Sequence, residues 1–300
     1  ILLWSDHASD DNLVKNAPQR AEYWLDEMCR LWKQNPTTFE SPRYTVYCAV
    51  IAAWAKSNAS EAPQRAETIW RRMQQDIAAT KIGTAHTILS LWCQQNNPIR
   101  AEQFLRELVQ EAATATATAS NDSTTLLPSY ESFVEVIQAW RNHGSKDAAT
   151  HAHDLMSLLM QQLTLHPHQF KDKIDEAPFL ACLELWACNK MPDRESKVET
   201  LWTWMKEADV SPSCQSLLPT ISCLSASKAT DRFRQLLSCQ GIITGSDQEL
   251  LPNIYERLLQ QWAACPEDTK AGECSQKLLE EFLTLPTTLI GTITKQVLRC

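Results

Sequence analysis

The most informative features of this 300-residue sequence are absences. It contains only six glycines, and the alternating Val, Ile and Thr patterns of β-strands are nearly absent. These two absences favour an all-α fold. No apolar run approaches the roughly 18 residues that a membrane-spanning helix needs. The spacings of a P-loop, GxSxG, HExxH or Cys-His catalytic site are also missing, so the sequence predicts neither an enzyme nor a cofactor.

An excess of positive charge is missing as well. The net charge is −8, distributed as about +1, −7 and −2 over successive hundreds of residues. This balance disfavours a general phosphate-binding surface, which needs clustered Lys and Arg, although it leaves room for a local basic groove. The eleven cysteines include no CxxC pair. Reduced, mostly buried thiols in an intracellular compartment therefore fit better than a disulfide or zinc framework.

What the chain does contain is clearest in residues 42–73. Apolar residues there follow the i, i+3, i+4, i+7 spacing of a helix stripe twice, on either side of a polar turn. The first-helix stripe is Tyr47, Val50, Ile51 and Trp54, and the second-helix stripe is Ala66, Ile69, Trp70 and Met73. Two helices this short cannot bury both stripes alone, so the pair requires neighbours.

Both stripes recur along the chain. The first-helix stripe returns at 85–92, 133–140, 179–186, 217–224 and 255–262. The second-helix stripe returns at 21–28, 101–108, 152–159, 198–205 and 275–282, with a weak copy around Phe233, Leu236 and Leu237. A period of roughly 38 to 50 residues with one helix pair in each copy is typical of an α-solenoid.

We therefore predict a single right-handed superhelix of about seven helix-turn-helix repeats. The predicted repeats are roughly 1–35, 42–76, 80–112, 128–162, 176–211, 212–240 and 252–283, followed by a partial repeat at 284–300. Residues 1–4 read as the end of a first helix whose beginning is missing, so we interpret the chain as a segment of a longer protein. Residues 112–126 are low in complexity, and we interpret them as a solvated insertion, with a flexible hinge or a processing site as the alternative.

The tryptophans that close the first-helix stripes admit two interpretations. They are Trp4, Trp54, Trp92, Trp140, Trp186 and Trp262, with Leu224 in the same position of one repeat. They could form a platform on which nucleic-acid bases stack. We favour a buried core instead, because each indole completes an apolar stripe and removes about 150–250 Å² from water when buried.

The repeat resembles the pentatricopeptide repeat family. The matching features in residues 42–76 are a proline and polar residue before the first helix, an aromatic with a Val-Ile pair, and a second helix with Ala, Ile-Trp and Met. The residues are Pro42, Arg43, Tyr47, Val50, Ile51, Ala66, Ile69, Trp70 and Met73. Leu201, Trp202 and Met205, followed by Val210-Ser211-Pro212-Ser213, match the end of the motif. The tetratricopeptide repeat fits less well, because Met73 stands where that motif has alanine.

The resemblance implies that the chain binds single-stranded RNA, one base per repeat, without a cofactor or metal. Two positions of each repeat would read the base: the residue after the first-helix aromatic and the last residue of the repeat. These pairs are Cys48 with Lys81, His86 with Ser129, Val134 with Asp175, Leu180 with Ser213, and Leu218 with Leu251, and Glu256 would be the last reader. None of the six first readers is the Ser, Thr or Asn that the family prefers. The resemblance also implies a role in RNA processing, stability or translation in a mitochondrion or plastid.

Several alternatives remain open from the sequence. Arg65, Arg71, Arg72, Arg100 and Arg106 could line a phosphate groove or form solvated helix faces. The histidines at 143, 151, 153, 166 and 168 fit solvent-facing positions better than a metal site, because helix residues two apart point to different faces. The runner-up function is an acidic helical-repeat scaffold, similar to tetratricopeptide proteins, that binds a protein partner. A continuous positive strip of Arg and Lys along the concave face would favour RNA over protein.

Overall fold

The structure, a computed structural model, describes residues 17–77, 82–117, 127–170, 173–189, 191–240, 246–265 and 271–283. These residues form fourteen α-helices and no β-strand, which confirms the all-α prediction. The predictions for residues 1–4, for Lys81 and for the partial repeat at 284–300 lie outside the described residues. The chain divides into two compact units, Ile1–His143 and Gly144–Cys300.

Unit 1 contains six helices. They are α1 (Ala17–Gln34), α2 (Tyr44–Lys56), α3 (Ala62–Ile77), α4 (Ile82–Gln94), α5 (Pro98–Ala117) and α6 (Tyr130–His143). Each helix packs on the next one along the chain, and the first helices α2, α4 and α6 also pack side by side. The unit therefore has one layer of first helices and one of second helices, α1, α3 and α5. Helix α5 continues into the low-complexity tract as far as Ala117.

Unit 2 contains eight helices. They are α7 (Ala148–Leu165), α8 (Pro167–Phe170), α9 (Ala177–Cys188), α10 (Arg194–Glu207), α11 (Cys214–Cys223), α12 (Ala226–Gln240), α13 (Ser246–Ala263) and α14 (Ala271–Leu283). The first helices α9, α11 and α13 again pack side by side, and α10, α12 and α14 are second helices. The unit boundary falls at the turn between α6 and α7, the two helices of the predicted fourth repeat. The short helix α8 lies between the predicted repeats 128–162 and 176–211.

The repeated apolar stripes form the core of both units. Trp54, Trp92, Trp140, Trp186 and Trp262 are each at most 4% exposed, and Leu224 in the equivalent position is 5% exposed. This confirms the interpretation of the tryptophan series as core and excludes a base-stacking platform made of these indoles. The second-helix stripes at 66–73, 101–108, 152–159 and 198–205 are buried as predicted.

The predicted stripes are wrong at the ends of the array. On α1, Ala21 and Leu25 are buried, but Trp24 is 50% exposed and Met28 is 36% exposed. Among the described helices α1 packs on α2, whereas α3 packs on both α2 and α4. On α14, Leu279 is 37% exposed while Leu278 and Phe282 are buried. An apolar stripe is buried only where a neighbouring helix covers it.

Three helices are followed by an Asn or Asp in the left-handed conformation, where glycine is common, and this explains why the chain needs few glycines. Asn58, Asn96 and Asp209 adopt the left-handed conformation, with φ of 50°, 54° and 59°, directly after α2, α4 and α10. Asn and Asp tolerate this conformation better than other side chains. After α10 the Val210 N–H donates to the Met205 carbonyl at 2.9 Å, and after α4 the Asn97 N–H donates to the Trp92 carbonyl at 3.0 Å. Each of these hydrogen bonds spans six residues and satisfies a carbonyl that has no partner within the helix.

Candidate functional site

The predicted reading residues lie on the first helices, just outside the core. Cys48, His86 and Val134 in unit 1, and Leu180, Leu218 and Glu256 in unit 2, are each half-buried. Each follows a buried residue of the first-helix stripe, so its side chain points away from the core. Because consecutive first helices pack side by side, these residues form one row within each unit. We call this surface the first-helix face.

The structure brings one predicted reading pair together in unit 1. His86 on α4 places Nδ1 3.1 Å from the Ser132 hydroxyl on α6, and that hydroxyl lies 3.3 Å from the Ser129 hydroxyl. Ser129 also accepts a hydrogen bond from the Ser132 amide at 3.3 Å, at the start of α6. The imidazole Nε2 of His86 lies 3.8 Å from Glu135. His86 and Ser129 therefore lie in one polar cluster with hydrogen-bonding capacity on the first-helix face.

In unit 2 the pair of Leu180 and Ser213 is connected less directly. The Ser213 amide and hydroxyl both donate to Glu176, at 2.8 and 2.9 Å. Glu176 precedes α9, and its carbonyl accepts the amide N–H of Leu180 at 2.9 Å. Ser213 also caps α11 by accepting the Gln215 amide. Its hydroxyl is therefore committed to the backbone and to Glu176, and Leu180 offers no polar atom to a base.

The other predicted pairs are not brought together in the same way. Cys48 is half-buried, and burial together with a hydrogen bond to Cys48 raises the pKa of Tyr44. Its predicted partner, Lys81, lies outside the described residues. Val134 and the exposed Asp175 belong to different units. Leu251, the predicted partner of Leu218, is buried in α13 and is 4% exposed.

The predicted phosphate-binding arginines are on the second helices and are bound to carboxylates. Arg65 lies 3.5 Å from Glu22 of α1 and 3.6 Å from Glu61. Arg72 forms ion pairs with Asp26 of α1 and with Asp76, the latter at 3.5 Å. Arg71, Arg100 and Arg106 likewise bind Glu67, Glu107 or Glu102. Arg65, Arg71, Arg72 and Arg100 thereby connect neighbouring second helices, whereas Arg106 binds Glu102 of its own helix.

The distribution of charge on the first helices gives no positive strip in the described residues. Basic residues in α2, α4, α6, α9, α11 and α13 are Lys56, Arg141 and Arg257. Acidic residues in the same helices are Glu131, Glu135, Glu184, Asp247, Glu249 and Glu256. With twice as many acidic as basic residues, this layer would repel a polyphosphate chain rather than attract it.

Sequence reasoning missed a polar bond at the repeat junctions of unit 1. Each first-helix indole donates to a glutamate on the preceding second helix: Trp54 to Glu22 at 2.9 Å, Trp92 to Glu67 at 3.1 Å, and Trp140 to Glu102 at 2.9 Å. Each glutamate follows a fully buried alanine of the second-helix stripe. We call these contacts the junction bonds. The recurrence of Ala-Glu at 21–22, 66–67 and 101–102 was the available signal.

Arginines complete each junction bond in unit 1. Burial opposes ionisation of Glu67, but hydrogen bonds from Arg100 and Arg71 outweigh it and hold the pKa of Glu67 below its ordinary value. Glu22 has only the distant Arg65 and the Trp54 indole, so burial dominates and raises the pKa of Glu22. The number and distance of the arginines thus decide how strongly each junction favours the charged carboxylate.

Opposite the two first-helix tryptophans of unit 2 the same position holds His153 and Thr230, while opposite Leu224 it holds Glu199, which binds Lys228 and Arg232. Trp262 donates to the Thr230 hydroxyl at 3.0 Å. Trp186 instead meets the edge of His153 with ring centroids 6.0 Å apart, and His153 stacks on Trp204 at 5.0 Å. Among the described residues, Trp186 Nε1 and His153 Nδ1 have no hydrogen-bond partner. His153 is 5% exposed, so the prediction that it faces solvent is wrong. Burial, followed by the charge of Lys197, lowers the pKa of His153 to about 4.

The described part of the chain contains no candidate membrane-spanning helix, no candidate metal site and no disulfide. None of its helices is both long and apolar enough to cross a bilayer. Its residues contain no group of three or more His, Cys, Asp and Glu side chains that could hold a metal ion. None of the nine cysteines described there forms a disulfide, and four of them are buried: Cys29, Cys182, Cys214 and Cys223.

Comparison with known proteins bears on the fold. No family model matches the chain, and no curated protein matches it. The solved structure of the pentatricopeptide repeat protein PPR10 from maize is similar, with a TM-score of 0.50 and 13% sequence identity. The match covers 86% of this chain and 32% of the maize protein, so the chain spans about a third of that protein's length. At this identity the likeness shows a helical-repeat fold.

Proposed function

We propose that this chain is a non-enzymatic helical-repeat module that binds single-stranded RNA along the first-helix face. The observation that carries the proposal is the cluster of His86, Ser132 and Ser129. It joins the two positions that would read a base. Ser132 is buried, and the half-buried His86 and Ser129 bring an imidazole and a hydroxyl, which can donate or accept hydrogen bonds, to the surface. Single-stranded RNA exposes base edges that such groups recognise.

The charge distribution predicts that RNA binding depends only weakly on salt. With few basic residues on the first helices, the chain would neutralise few phosphates and depend on contacts to bases. For single strands the slope of log K against log salt is about −0.7 for each phosphate neutralised. We expect a slope no steeper than about −2, corresponding to roughly three phosphates.

The test is RNA crosslinking and sequencing from cells, combined with titration of the purified chain against unstructured RNA at several salt concentrations. His86→Ala should weaken binding about tenfold, because it removes the imidazole from the reading cluster. His143→Ala, which removes an exposed histidine at the end of α6, is the matched control and should bind like the wild type. Recovery of no RNA in cells and no binding in vitro would refute the proposal.

A second candidate function is a scaffold that binds a protein. The specific observation in its favour is the excess of acidic over basic residues on the first helices, which suits a basic peptide better than a nucleic acid. Under this alternative His86→Ala would leave RNA recovery at background. Affinity purification would then recover a partner whose binding weakens on Glu135→Gln.

The cellular compartment is part of the proposal. We propose that the RNA is organellar, in a mitochondrion or plastid, where the module would support processing, stability or translation. This rests on the resemblance of the repeat motif alone. Microscopy of the full-length protein carrying a C-terminal fluorescent tag tests it, and a signal outside both organelles would contradict it.

A further inference from the structure

A cavity between two first helices of unit 2 has features that none of the predicted reading positions explains. It lies between α11 and α13 and has a volume of about 310 Å³. Its lining residues are Ile221, Ser222, Arg257, Gln260, Gln261 and Ala264. This volume is at the lower end of the range for small-ligand sites. The cavity opens on the first-helix face, beside the reader Glu256.

Arg257 differs from the predicted phosphate-binding arginines of unit 1. It is exposed, and its Nη1 donates to the Ser222 hydroxyl at 3.0 Å and to the Leu218 carbonyl at 3.4 Å. No carboxylate partner of Arg257 exists among the described residues, whereas Arg65 and Arg72 each bind two. These contacts orient the planar guanidinium by Nη1 and leave its other N–H groups for a ligand.

Gln261, which also lines the cavity, carries a buried amide acceptor. Its amide nitrogen donates to the carbonyls of Ile221 and Leu224, at the end of α11 where the helix leaves carbonyls open. This fixes the orientation of the amide, so Oε1 faces away from those carbonyls. Oε1 is buried and has no hydrogen-bond partner in the described part of the chain. A buried acceptor without a partner is costly, and a ligand donor would satisfy it.

We propose that this cavity is a guanine-binding subsite for a single-stranded RNA. Arg257 and Gln261 are four residues apart on α13, so they present donors and an acceptor from one helix face. Arginine pairs in bidentate fashion with O6 and N7 of guanine. The adjacent N1–H of the base is a donor, which is the group that Gln261 Oε1 requires. Uracil and cytosine do not offer this combination of two acceptors beside a donor in a purine-sized ring system.

This inference rests on the proposed RNA-binding function and adds a base preference at residues outside the predicted reading pairs. The test uses the full chain and fluorescence anisotropy with two labelled RNAs, a 12-nucleotide oligouridine and the same RNA with one central guanine. The wild type should bind the guanine-containing RNA about tenfold more tightly. Arg257→Ala should abolish this preference and leave affinity for oligouridine within about twofold.

Two further variants separate the guanidinium geometry from its charge. Arg257→Lys keeps the charge but loses the planar fork, so it should also lose the guanine preference. Arg234→Ala removes a charge from a second helix of the same unit, where Arg234 pairs with Glu281 at 3.7 Å, and should retain the preference. Circular dichroism confirms that each variant is folded. A wild type that binds neither RNA refutes the proposed function. Equal binding of both RNAs, or a preference that survives in Arg257→Ala, refutes the subsite alone.

Discussion

Both units bury the tryptophan column, but the indole N–H groups have different hydrogen-bond partners in the two units. In unit 1 the indole N–H groups of Trp54, Trp92 and Trp140 each bond a glutamate that arginines neutralise. Glu67, for example, accepts from Trp92, Arg71 and Arg100. In unit 2 the residues opposite Trp186 and Trp262 are His153 and Thr230. The Trp186 indole N–H has no hydrogen-bond partner among the described residues. Burial of the indole is therefore common to both units, while the junction bond is charge-assisted in only one of them.

This difference predicts that the two units respond differently to mutation and pH. A charge-assisted bond is stronger than a neutral one, but removing one partner leaves the other charge unsatisfied. Hydrogen exchange measured on the full chain can report each unit separately, because opening free energies vary along a structure. Four predictions follow, in order of decreasing effect, and each compares residues at equivalent positions.

The largest effect is expected for Glu67→Ala, which removes the acceptor shared by Trp92, Arg71 and Arg100. We expect unit 1 to lose about 3 kcal/mol of unfolding free energy, because three donors lose a partner that is only 7% exposed. The equivalent change in unit 2, Thr230→Ala, should cost about 1 kcal/mol. Glu61→Ala is the control, since Glu61 is an exposed partner of Arg65, and it should cost less than about 0.5 kcal/mol. Equal losses for Glu67→Ala and Glu61→Ala would contradict the role of the junction bonds.

Acid should weaken unit 2 before unit 1. Unfolded His153 binds a proton near pH 6.5, but the folded chain binds it only near pH 4. The unfolded state therefore holds more protons between these values, and stability falls as the pH is lowered, by up to about 3 kcal/mol. Lys197 adds to the repulsion of the charged form, while Asp154 and Asp193 oppose it.

The same measurement separates His153 from the carboxylates. The pKa of Glu67 is held below its ordinary value, so its contribution is present above about pH 4.5 and fades only below that. Urea unfolding between pH 7 and 4, followed by hydrogen exchange, should show early weakening around α7 and α9. His153→Gln should remove this weakening, and its persistence in that variant would assign it to another group.

Replacing a junction tryptophan by phenylalanine measures what the indole N–H contributes to stability in each unit. Both Trp140→Phe and Trp186→Phe lose similar apolar area, but only Trp140 donates to a glutamate, Glu102. We expect Trp140→Phe to cost about 1 kcal/mol more in thermal or urea unfolding. If the two substitutions cost the same, the bond from Trp140 to Glu102 makes no net contribution to the free energy of unfolding.

The smallest effect is expected for the exposed arginines of unit 1. Arg65→Ala removes ion pairs at 3.5 and 3.6 Å from a side chain that is 51% exposed. Such pairs contribute about 0–1 kcal/mol, and we expect less than 0.5 kcal/mol in 0.15 M salt. Arg100→Ala, whose side chain is 27% exposed and bound to Glu67, should cost more. The reverse order would show that solvent exposure does not determine the value of these pairs.

The candidate site was predictable only in part. The resemblance to the repeat family assigned Cys48, His86, Val134, Leu180 and Leu218 as reading residues, each directly after a stripe residue, and the structure places them half-buried at the edge of the core. Spacing could not reveal that His86 and Ser129 meet through Ser132, since 46 residues separate His86 from Ser132 in the chain. It also could not show the ion pairs of Arg65 with Glu22 and of Arg72 with Asp26, because these two carboxylates lie on another helix pair.

The sequence by itself determined the helices, their pairing and the buried tryptophan column. Those features depend on local periodicity and on apolar side chains that have to leave water, and both can be read without knowing which helices meet. Tertiary structure alone decided which stripes are covered, as Trp24 and Met28 show, and which polar groups meet across repeats. Hydrogen bonds and ion pairs depend on distances of about 3 Å between helices distant in the chain. A one-dimensional pattern carries no such distance, so the junction bonds and the Arg257 cavity emerged only from the packed helices.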